Sequence, residues 1–242
     1  MNTGMFAAIS GNIAAMQRLD VVANNLANAG TVGFKKDRIA FESILASRVD
    51  GEAPPNAGTV QSDNIFFTDY SAGPARQTGN PLDFSINGDG FFVVETPEGR
   101  AYTRQGSFSR NAAGRLATSD GYEVQGKNGP VVINGSRVDV NAKGEVVVDG
   151  TLVATLEVVD FPRPYALQKT GSALFVPADP ATVPTPVDKA SLMQGSLEQS
   201  NVNVAQEMVQ MIEANRYFET CQRVVRGFDE MAGKTVNEVG RV

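Results

Sequence analysis

VVANNLANAGTVGFKKDR, residues 21–38, places three asparagines inside an apolar run with helical spacing, and follows them with two glycines and a phenylalanine. Asparagine is a mediocre helix former because its side-chain amide competes for backbone hydrogen bonds. The run therefore predicts that a helix ends near Asn28, with Gly30 as a left-handed C-terminal cap. At an exposed helix end, the three amides would act only as weak stop signals. At a helix end packed against neighbouring subunits, they would satisfy orphan backbone carbonyls.

Apolar side chains upstream of this stretch recur every three or four residues, which predicts one face of a helix of about seven turns. They are Met5, Ile9, Ile13, Met16, Leu19, Ala23 and Leu26. A second stripe with the same spacing begins after Asn203 and Gln206, a pair that resembles a capping box. Its members are Val204, Met208, Met211, Ala214, Phe218, Cys221, Val225 and Phe228, and the spacing continues to Val239.

The region between the two stripes has closely spaced turn signals, such as Asp149-Gly150, that separate short strand-like runs, such as FFVVE at 91–95. Turns of this frequency favour an antiparallel sheet or barrel over βαβ units. Residues 50–81 and 177–190 are rich in Gly, Pro, Asn, Ser and Thr, a composition typical of linkers or extended arms.

These patterns together predict an α+β fold. Isolated helices are marginal in water, so the terminal stripes are expected to pack on each other or on other copies of the chain. The expected architecture is a discontinuous, coiled-coil-like helical domain formed by both termini, with an antiparallel all-β domain inserted between its halves. Its predicted parts are an N-terminal helix and turn (1–34), an extended arm (35–81), the β domain (82–178), a linker (179–199) and a C-terminal helix (200–242).

The composition excludes several kinds of chemistry. The chain has no histidine and one cysteine, Cys221, which rules out histidine-dependent triads, histidine metal sites and thiolate clusters. The net charge of −6 and the pI of about 4.8 disfavour non-specific binding to nucleic acid or to an anionic membrane. The sequence contains no apolar run long enough to span a bilayer, and no phosphate-binding loop. We expect no active site and no cofactor.

Three blocks of the sequence, in order, resemble the signatures of the bacterial flagellar rod and hook proteins. The N-terminal block contains ANNLAN at 23–28, then Thr31, Gly33, Phe34 and Lys35. The central block contains GDGFFVV at 88–94, then Tyr102, Thr103, Arg104, Gly106, Phe108, Gly114, Leu116, Gly121 and Gly126. The C-terminal block contains Gly195, Leu197, Glu198, SNV at 200–202, Glu207, Met208, Met211, Ile212, Arg216, Phe218 and Glu219.

This resemblance implies a structural subunit of the basal-body rod, which polymerises through its terminal helices into the drive shaft that transmits torque from motor to hook. The implied partners are other copies of the chain, other proximal and distal rod subunits, and the flagellar export apparatus, with no nucleic acid and no membrane insertion. The implied location is the rod, which spans the periplasm. The first basic side chain is Arg18, so the N-terminus does not resemble a cleavable signal peptide.

Two features favour the proximal-rod member of the family over the distal-rod member. The segment from Phe41 to Gly88 is shorter than in the distal-rod protein, and TGNPLD at 78–83 resembles the proximal-rod protein. Residues expected at subunit interfaces are Ile9, Ile13, Met16, Leu19, Asn24, Asn25, Leu26, Asn28, Gly33, Phe34, Val204, Met208, Met211, Phe218, Val225 and Phe228.

Two alternatives from other functional classes stay open at this point. One is a secreted β-domain binding module, such as an adhesin, whose terminal helices form a stalk. The other is a carboxylate hydrolase acting on cell-wall glycan, since any two of the 27 acidic residues can meet in the fold. The low aromatic content and the lack of tryptophan disfavour a sugar-stacking cleft.

Overall fold

The computed structural model of the chain describes residues 2–42, 63–171, 173–187 and 191–239. These ranges contain a long helix near each end of the chain and nineteen short strands between the helices. The predicted α+β class is confirmed. The chain divides into two compact units. The helical unit comprises Met1–Ala27, Lys36–Asp69 and Asn203–Val242, and the β unit comprises Asn28–Lys35 and Tyr70–Val202.

Over its described residues, the helical unit contains two helices and a two-stranded ribbon. Helix α1 spans Asn2–Ala27 and helix α2 spans Val204–Val239. The predicted cap of α2 is confirmed, because Asn203 Oδ1 accepts a hydrogen bond of 3.2 Å from the backbone N–H of Gln206. Strands β1 (Asp37–Glu42) and β2 (Asp63–Thr68) pair antiparallel.

The turn after α1 differs from the prediction in one detail. The helix ends at Ala27, as expected, and Thr31 donates a backbone hydrogen bond to the carbonyl of Asn28. Gly30 is not left-handed, whereas Gly33 has a φ of 69°. The left-handed residue therefore lies three positions later than predicted, after the asparagine-rich turn.

The β unit consists of short strands joined mostly by tight turns. The strands are β3 (Ala75–Gln77), β4 (Phe84–Asn87), β5 (Phe91–Thr96), β6 (Gly99–Thr103), β7 (Phe108–Arg110), β8 (Leu116–Thr118), β9 (Glu123–Gly126), β10 (Gly129–Pro130), β11 (Val138–Val140), β12 (Glu145–Val148), β13 (Thr151–Thr155), β14 (Val158–Asp160), β15 (Leu167–Thr170), β16 (Leu174–Pro177), β17 (Thr185–Pro186), β18 (Ser191–Gln194) and β19 (Ser196–Glu198). Asp149 and Gly150 both have positive φ, as expected for the two-residue turn between β12 and β13.

The largest sheet of the β unit has ten strands. Its main path runs β15-β16-β6-β5-β9-β8-β7, and β10, β14 and β17 pair beside this path. A three-stranded sheet, β11-β12-β13, and the two-stranded pairs β18-β4 and β19-β3 complete the unit. Every registered pair is antiparallel, which confirms the predicted sheet type.

Strand β5 is buried on both faces. Phe92 and Val94 belong to the main core, whereas Phe91 and Val93 belong to a second cluster with Tyr102, Val159, Phe161 and Phe175. Successive side chains of a strand point to opposite faces, so the sheet lies between these two cores. This arrangement explains why FFVVE reads as a continuous apolar run and does not alternate.

The predicted boundaries of the β region were too narrow. The predicted arm at 35–81 contains β1, β2 and β3, although its residues 43–62 lie outside the described ranges. The predicted linker at 179–199 contains β17, β18 and β19. Strand β19 pairs with β3 in a separate two-stranded sheet, so this pairing joins residues that are far apart in sequence. Local composition carries no signal for this long-range pairing.

Candidate functional site: the helix pair and the ionic junction

Helices α1 and α2 pack on one another in antiparallel directions. A Cβ added to Gly4 would lie 2.7 Å from the ring of Phe228, and Asn25 Nδ2 lies 3.3 Å from Glu207 Oε2. Gly4 and Asn25 are 21 positions apart on α1, and their partners Phe228 and Glu207 are also 21 positions apart on α2, in the opposite order. The pairing of the terminal helices predicted from their stripes is confirmed.

Small residues of α1 allow the two helices to approach closely. A Cβ added to Gly11 would lie 3.2 Å from Cys221 Sγ and 3.1 Å from the Tyr217 hydroxyl oxygen. Ala15 and Val22, farther along the same face, are almost completely buried. The seam between the helices is thus built on α1 from glycine, alanine and one valine.

The seam on α2 follows the predicted stripe. Glu207, Ala214 and Cys221 are buried and recur every seven residues. Four predicted interface residues lie half-buried between and beyond them: Met211, Phe218, Val225 and Phe228. From Met211 onward, the apolar periodicity of the C-terminal sequence therefore identified the face that contacts α1, whereas Val204 and Met208 of the same stripe are exposed.

The predicted stripe of α1 lies mostly outside the seam. Ile9 is exposed, and Ile13 and Met16 are each 52% exposed. Leu19 and Leu26 are half-buried. The helix turns its smaller residues toward α2, because that face permits the shorter distance between helix axes. Of the two packing partners expected for this stripe, α2 and other copies of the chain, α2 does not cover these three exposed residues.

Helix α2 has an exposed apolar face of its own near its N-terminus. Val204 and Met208 are exposed, with Met208 at 50%. Val209 and Ile212 are also exposed. The two helices therefore retain apolar side chains that nothing within the described residues of one chain covers, and large exposed apolar surfaces mark interaction sites.

Asn25 connects the end of α1 to strand β1 and to α2. Its side chain is only 2% exposed. Its Nδ2 donates to the Asp37 carbonyl at 2.8 Å, and its Oδ1 accepts from the Asp37 N–H at 2.9 Å. Together with the Glu207 contact, these hydrogen bonds show that the amide of Asn25 binds groups of its own chain. Asn25 thus differs from the expectation that its amide serves contacts between subunits.

The other predicted asparagines have different environments. Asn24 is exposed on α1. Asn28 accepts two hydrogen bonds of 3.1 Å from Thr31, one at its carbonyl from the backbone N–H and one at Oδ1 from the hydroxyl. Asn28 therefore shapes the turn after the helix.

Gly33 and Phe34 begin the return of the chain into the β unit. A Cβ at Gly33 would lie 2.5 Å from the backbone carbon of Arg104, so both its positive φ and its packing require glycine. Phe34 is buried, and Lys169 Nζ lies 4.4 Å from the centroid of its ring. Phe34 thus anchors the returning segment within the β unit, where its ring is buried.

Three buried charged side chains meet beside Gly33, and we call them the ionic junction: Lys35, Arg104 and Glu198. Lys35 Nζ lies 2.6 Å from Glu198 Oε1, and Arg104 Nη1 lies 3.1 Å from Glu198 Oε2. Their residues are 1%, 4% and 3% exposed, respectively. Each charge comes from a different one of the three sequence blocks, which the fold thereby brings together.

Backbone groups complete the ionic junction. Lys35 Nζ donates to the Ser71 carbonyl at 2.8 Å, and the Gly73 N–H donates to Glu198 Oε1 at 2.9 Å. Arg104 Nη2 donates to the carbonyl of Gly88 at 2.7 Å, and its guanidinium carbon lies 5.4 Å from the Phe91 ring centroid. The Gly33 N–H donates to the Glu198 carbonyl at 2.8 Å.

Sequence reasoning missed two sets of residues as site residues. Gly4, Gly11 and Ala15 recur at helical spacing, but hydrophobicity does not single out a stripe of small residues. The charges of the ionic junction belong to the three resembling blocks, yet only apolar and amide residues were selected from those blocks. The available signal was that each of the three blocks contains a charged residue: Lys35, Arg104 and Glu198.

The helix seam and the ionic junction contain no arrangement of a nucleophile with a base. Coulomb interaction with Cys221, followed by burial, raises the pKa of the Tyr217 hydroxyl, which stays neutral at physiological pH. In the part of the chain that the structure describes, no three acidic or cysteine side chains are grouped to hold a metal ion. Neither helix, over its described residues, is long and apolar enough to cross a membrane.

Paired terminal helices with apolar outer faces indicate a subunit of a larger assembly. Three family models match successive parts of the chain. They describe a flagella basal body rod protein (residues 5–35), a flagellar hook protein FlgE/F/G D1 domain (residues 85–148) and a flagellar basal body rod FlgEFG protein C-terminal region (residues 193–238).

Curated relatives match over nearly their whole length. The flagellar basal-body rod protein FlgF of Rhizobium meliloti is 34% identical over 248 aligned positions, which cover 99% of each chain. FlgF of Mesorhizobium japonicum is 30% identical over 243 positions, covering 99% of each. FlgG of Bacillus subtilis is 31% identical over 264 positions, covering 98% of this chain and 99% of the relative. The chain belongs to the flagellar basal-body rod protein family.

Proposed function

We propose that the protein is a structural subunit of the bacterial flagellar rod, and that it polymerises through the outer faces of its terminal helices. The observation that carries this proposal is the exposure of Ile13, Met16, Met208 and Ile212 on helices that are already paired. Covering an apolar side chain that is half-exposed in one chain contributes about 1 kcal/mol. Many such contacts per subunit would hold a drive shaft together under torque.

The pairing of α1 and α2 is proposed to be coiled-coil-like. Its support is the seven-residue recurrence of Glu207, Ala214 and Cys221 on α2, together with the matched spacing of the contacts on α1. A regularly paired unit of this kind suits the wall of a tube.

Within the rod, we propose the proximal position. The distal-rod member is expected to be longer, because its segment corresponding to residues 41–88 is longer. The alignments with the two FlgF relatives extend over 248 and 243 positions, close to the length of this chain, whereas the alignment with FlgG of B. subtilis extends over 264. The length of this chain therefore supports the proximal member. The segment that resembles the proximal-rod protein forms a closed turn, in which Thr78 and Asn80 both donate to the Asp83 carboxylate.

The proposed partners are further copies of this chain, the adjoining proximal and distal rod subunits, and the flagellar export apparatus that delivers the subunit. The proposed location is the basal body, in the rod that crosses the periplasm. The family is named for a structural component, and we propose no enzymatic activity and no cofactor.

The test is complementation followed by imaging of labelled basal bodies. The gene is deleted from its own bacterium, and an epitope-tagged copy is returned. We expect swimming in soft agar to be lost and restored, with gold label on the half of the rod nearer the motor. Label on the half nearer the hook would assign the distal position, and label absent from basal bodies would contradict the rod function.

A further inference from the structure

The chain passes between the helical unit and the β unit four times, after Ala27, Lys35, Asp69 and Val202. The groups of the ionic junction come from the segments next to these passages. Lys35 is the last residue before the second passage. Ser71 and Gly73, whose backbone groups bind Lys35 and Glu198, follow directly after the third.

The fourth passage adjoins the same place. Glu198 precedes it by a few residues, and the Asn201 side-chain amide donates to the Ser71 carbonyl at 3.2 Å. The Asn201 N–H donates to the Phe34 carbonyl at 3.3 Å, which joins the segments before the second and the fourth passages directly. Gly33 lies in the short segment between the first two passages and donates to the Glu198 carbonyl.

Arg104 is the member of the ionic junction that belongs to the body of the β unit. It follows β6 directly, and its guanidinium donates to the carbonyls of Ile86 and Gly88 while it contacts Glu198. Its Nε is buried without a hydrogen-bond partner among the described residues. Arg104 thus connects the segment that contains Glu198 to the main sheet, although one of its guanidinium N–H groups makes no hydrogen bond within the described part of the chain.

The energetics of buried charges indicate what such a cluster is for. Removing three charged groups from water is expensive, and apolar side chains of similar volume are often equally stabilising or more so. A buried ion pair requires particular partners at particular angles, which apolar contacts do not. Stability therefore does not explain the ionic junction, whereas a requirement for fixed geometry does.

We propose that the ionic junction is a positioning device, which fixes the place and direction in which all four connections leave the β unit. Glu198 is its centre, because its carboxylate binds both cations and the Gly73 N–H, and its carbonyl binds Gly33. In the proposed rod subunit, on which this role rests, fixed connections would transmit rotation between the two units of the chain.

Hydrogen exchange of the purified full-length protein, measured by mass spectrometry, tests the device without reference to the rod. The first variant carries Lys35→Met, Arg104→Met and Glu198→Leu. We expect exchange on the order of tenfold faster in residues 31–35, 70–73 and 197–202, with unchanged protection of strands β5 and β6. The second variant, Lys35→Met, keeps the Arg104–Glu198 pair and should accelerate exchange only in residues 31–35 and 70–73.

A matched control removes an ion pair that adjoins no passage. Arg115→Met with Glu123→Leu deletes a pair with an N–O distance of 2.8 Å in the middle of the β unit. This variant should leave exchange in the three connecting segments unchanged. Unchanged exchange in both junction variants, or a loss of protection throughout the β unit in both, would overturn the proposal.

Swimming in soft agar tests the consequence of the device. We expect the triple variant to be made and exported in normal amounts but to spread at less than half of the wild-type rate. Normal swimming by a triple variant with accelerated exchange would overturn the need for fixed connections. Failure of the wild-type copy to restore swimming would instead contradict the proposed rod function, and would leave the exchange result standing.

Discussion

Asn25 and Asp37 exchange two hydrogen bonds of 2.8 and 2.9 Å, so that the side chain of a helical residue pairs with the backbone at the start of strand β1. The amide of Asn25 supplies one donor and one acceptor to the backbone of Asp37, as a neighbouring strand would. Asparagine is unfavourable in a helix by propensity, and this contact explains its presence near the end of α1.

Replacing Asn25 with alanine should destabilise the helical unit, although alanine is the better helix former. The change leaves a backbone N–H and C=O without these partners, at about 1–3 kcal/mol for each group that stays buried. The measurement is urea unfolding followed by circular dichroism at 222 nm. The control is Ser10→Ala on the exposed face of α1, which should shift the free energy of unfolding by less than about 0.5 kcal/mol. Equal stability of the two variants would contradict this role of Asn25.

Glycine in the helix seam should be required, whereas glycine elsewhere in a helix should not. Gly11→Leu inserts a side chain where a Cβ alone would lie 3.2 Å from Cys221 Sγ, and overpacking of this kind costs about 1–3 kcal/mol. Gly227→Ala meets no atom within 4 Å and should stabilise α2 by about 0.5–1 kcal/mol. The two substitutions should therefore shift the melting temperature of the helices in opposite directions. A higher melting temperature for Gly11→Leu would exclude the described register of the helix pair.

The two glycines of the turn after α1 form a second matched pair. Gly33→Ala should destabilise the β unit by at least about 1–2 kcal/mol, because an L-residue resists the left-handed conformation and its Cβ would meet the backbone of Arg104. Gly30→Ala, with open space around it, should be close to neutral. Thermal unfolding followed by near-ultraviolet circular dichroism reports mainly on the β unit, which contains four of the five tyrosines. A neutral Gly33→Ala would show that the chain reverses elsewhere.

Local signals explain what the sequence predicted correctly. A few turns of helix are enough to show an apolar spacing, such as that of Met211, Phe218 and Val225, or a cap such as Asn203. The helices and their pairing could therefore be predicted from local sequence. The turn at Asp149-Gly150 likewise needs only two residues. The resemblance of three separate blocks to known signatures then identified the protein family.

Long-range contacts explain what the sequence did not predict. Ala75 pairs with Glu198, 123 positions away in the sequence, and the local composition around each strand resembled a linker. The ionic junction joins residues 163 and 94 positions apart, and no local pattern connects them. The face of α1 that contacts α2 was missed for a different reason. Glycine and alanine allow a close contact between helices because their side chains are small. A pattern based on hydrophobicity does not detect small size.

Charges placed on the outer helix faces should block assembly without unfolding the chain. Ile13→Asp with Met208→Asp changes two side chains that are about half-exposed in one subunit, so the melting temperature of the purified protein should change little. Buried between subunits, each unpaired carboxylate would cost several kcal/mol. We expect normal secretion, no swimming and no complete basal bodies. Val183→Asp, at a side chain 75% exposed in the β unit, is the control and should swim normally. Wild-type swimming by the double variant would mean that these faces stay in solvent.

The most direct measurement of the central claim is a cryo-electron microscopy reconstruction of the isolated rod at side-chain resolution. The account predicts that Ile13, Met16, Met208 and Ile212 are covered by helices of neighbouring subunits, while Gly11 and Cys221 still contact each other within one chain. A reconstruction in which the terminal helices of this subunit face solvent, or in which the subunits touch only through their β units, would contradict it.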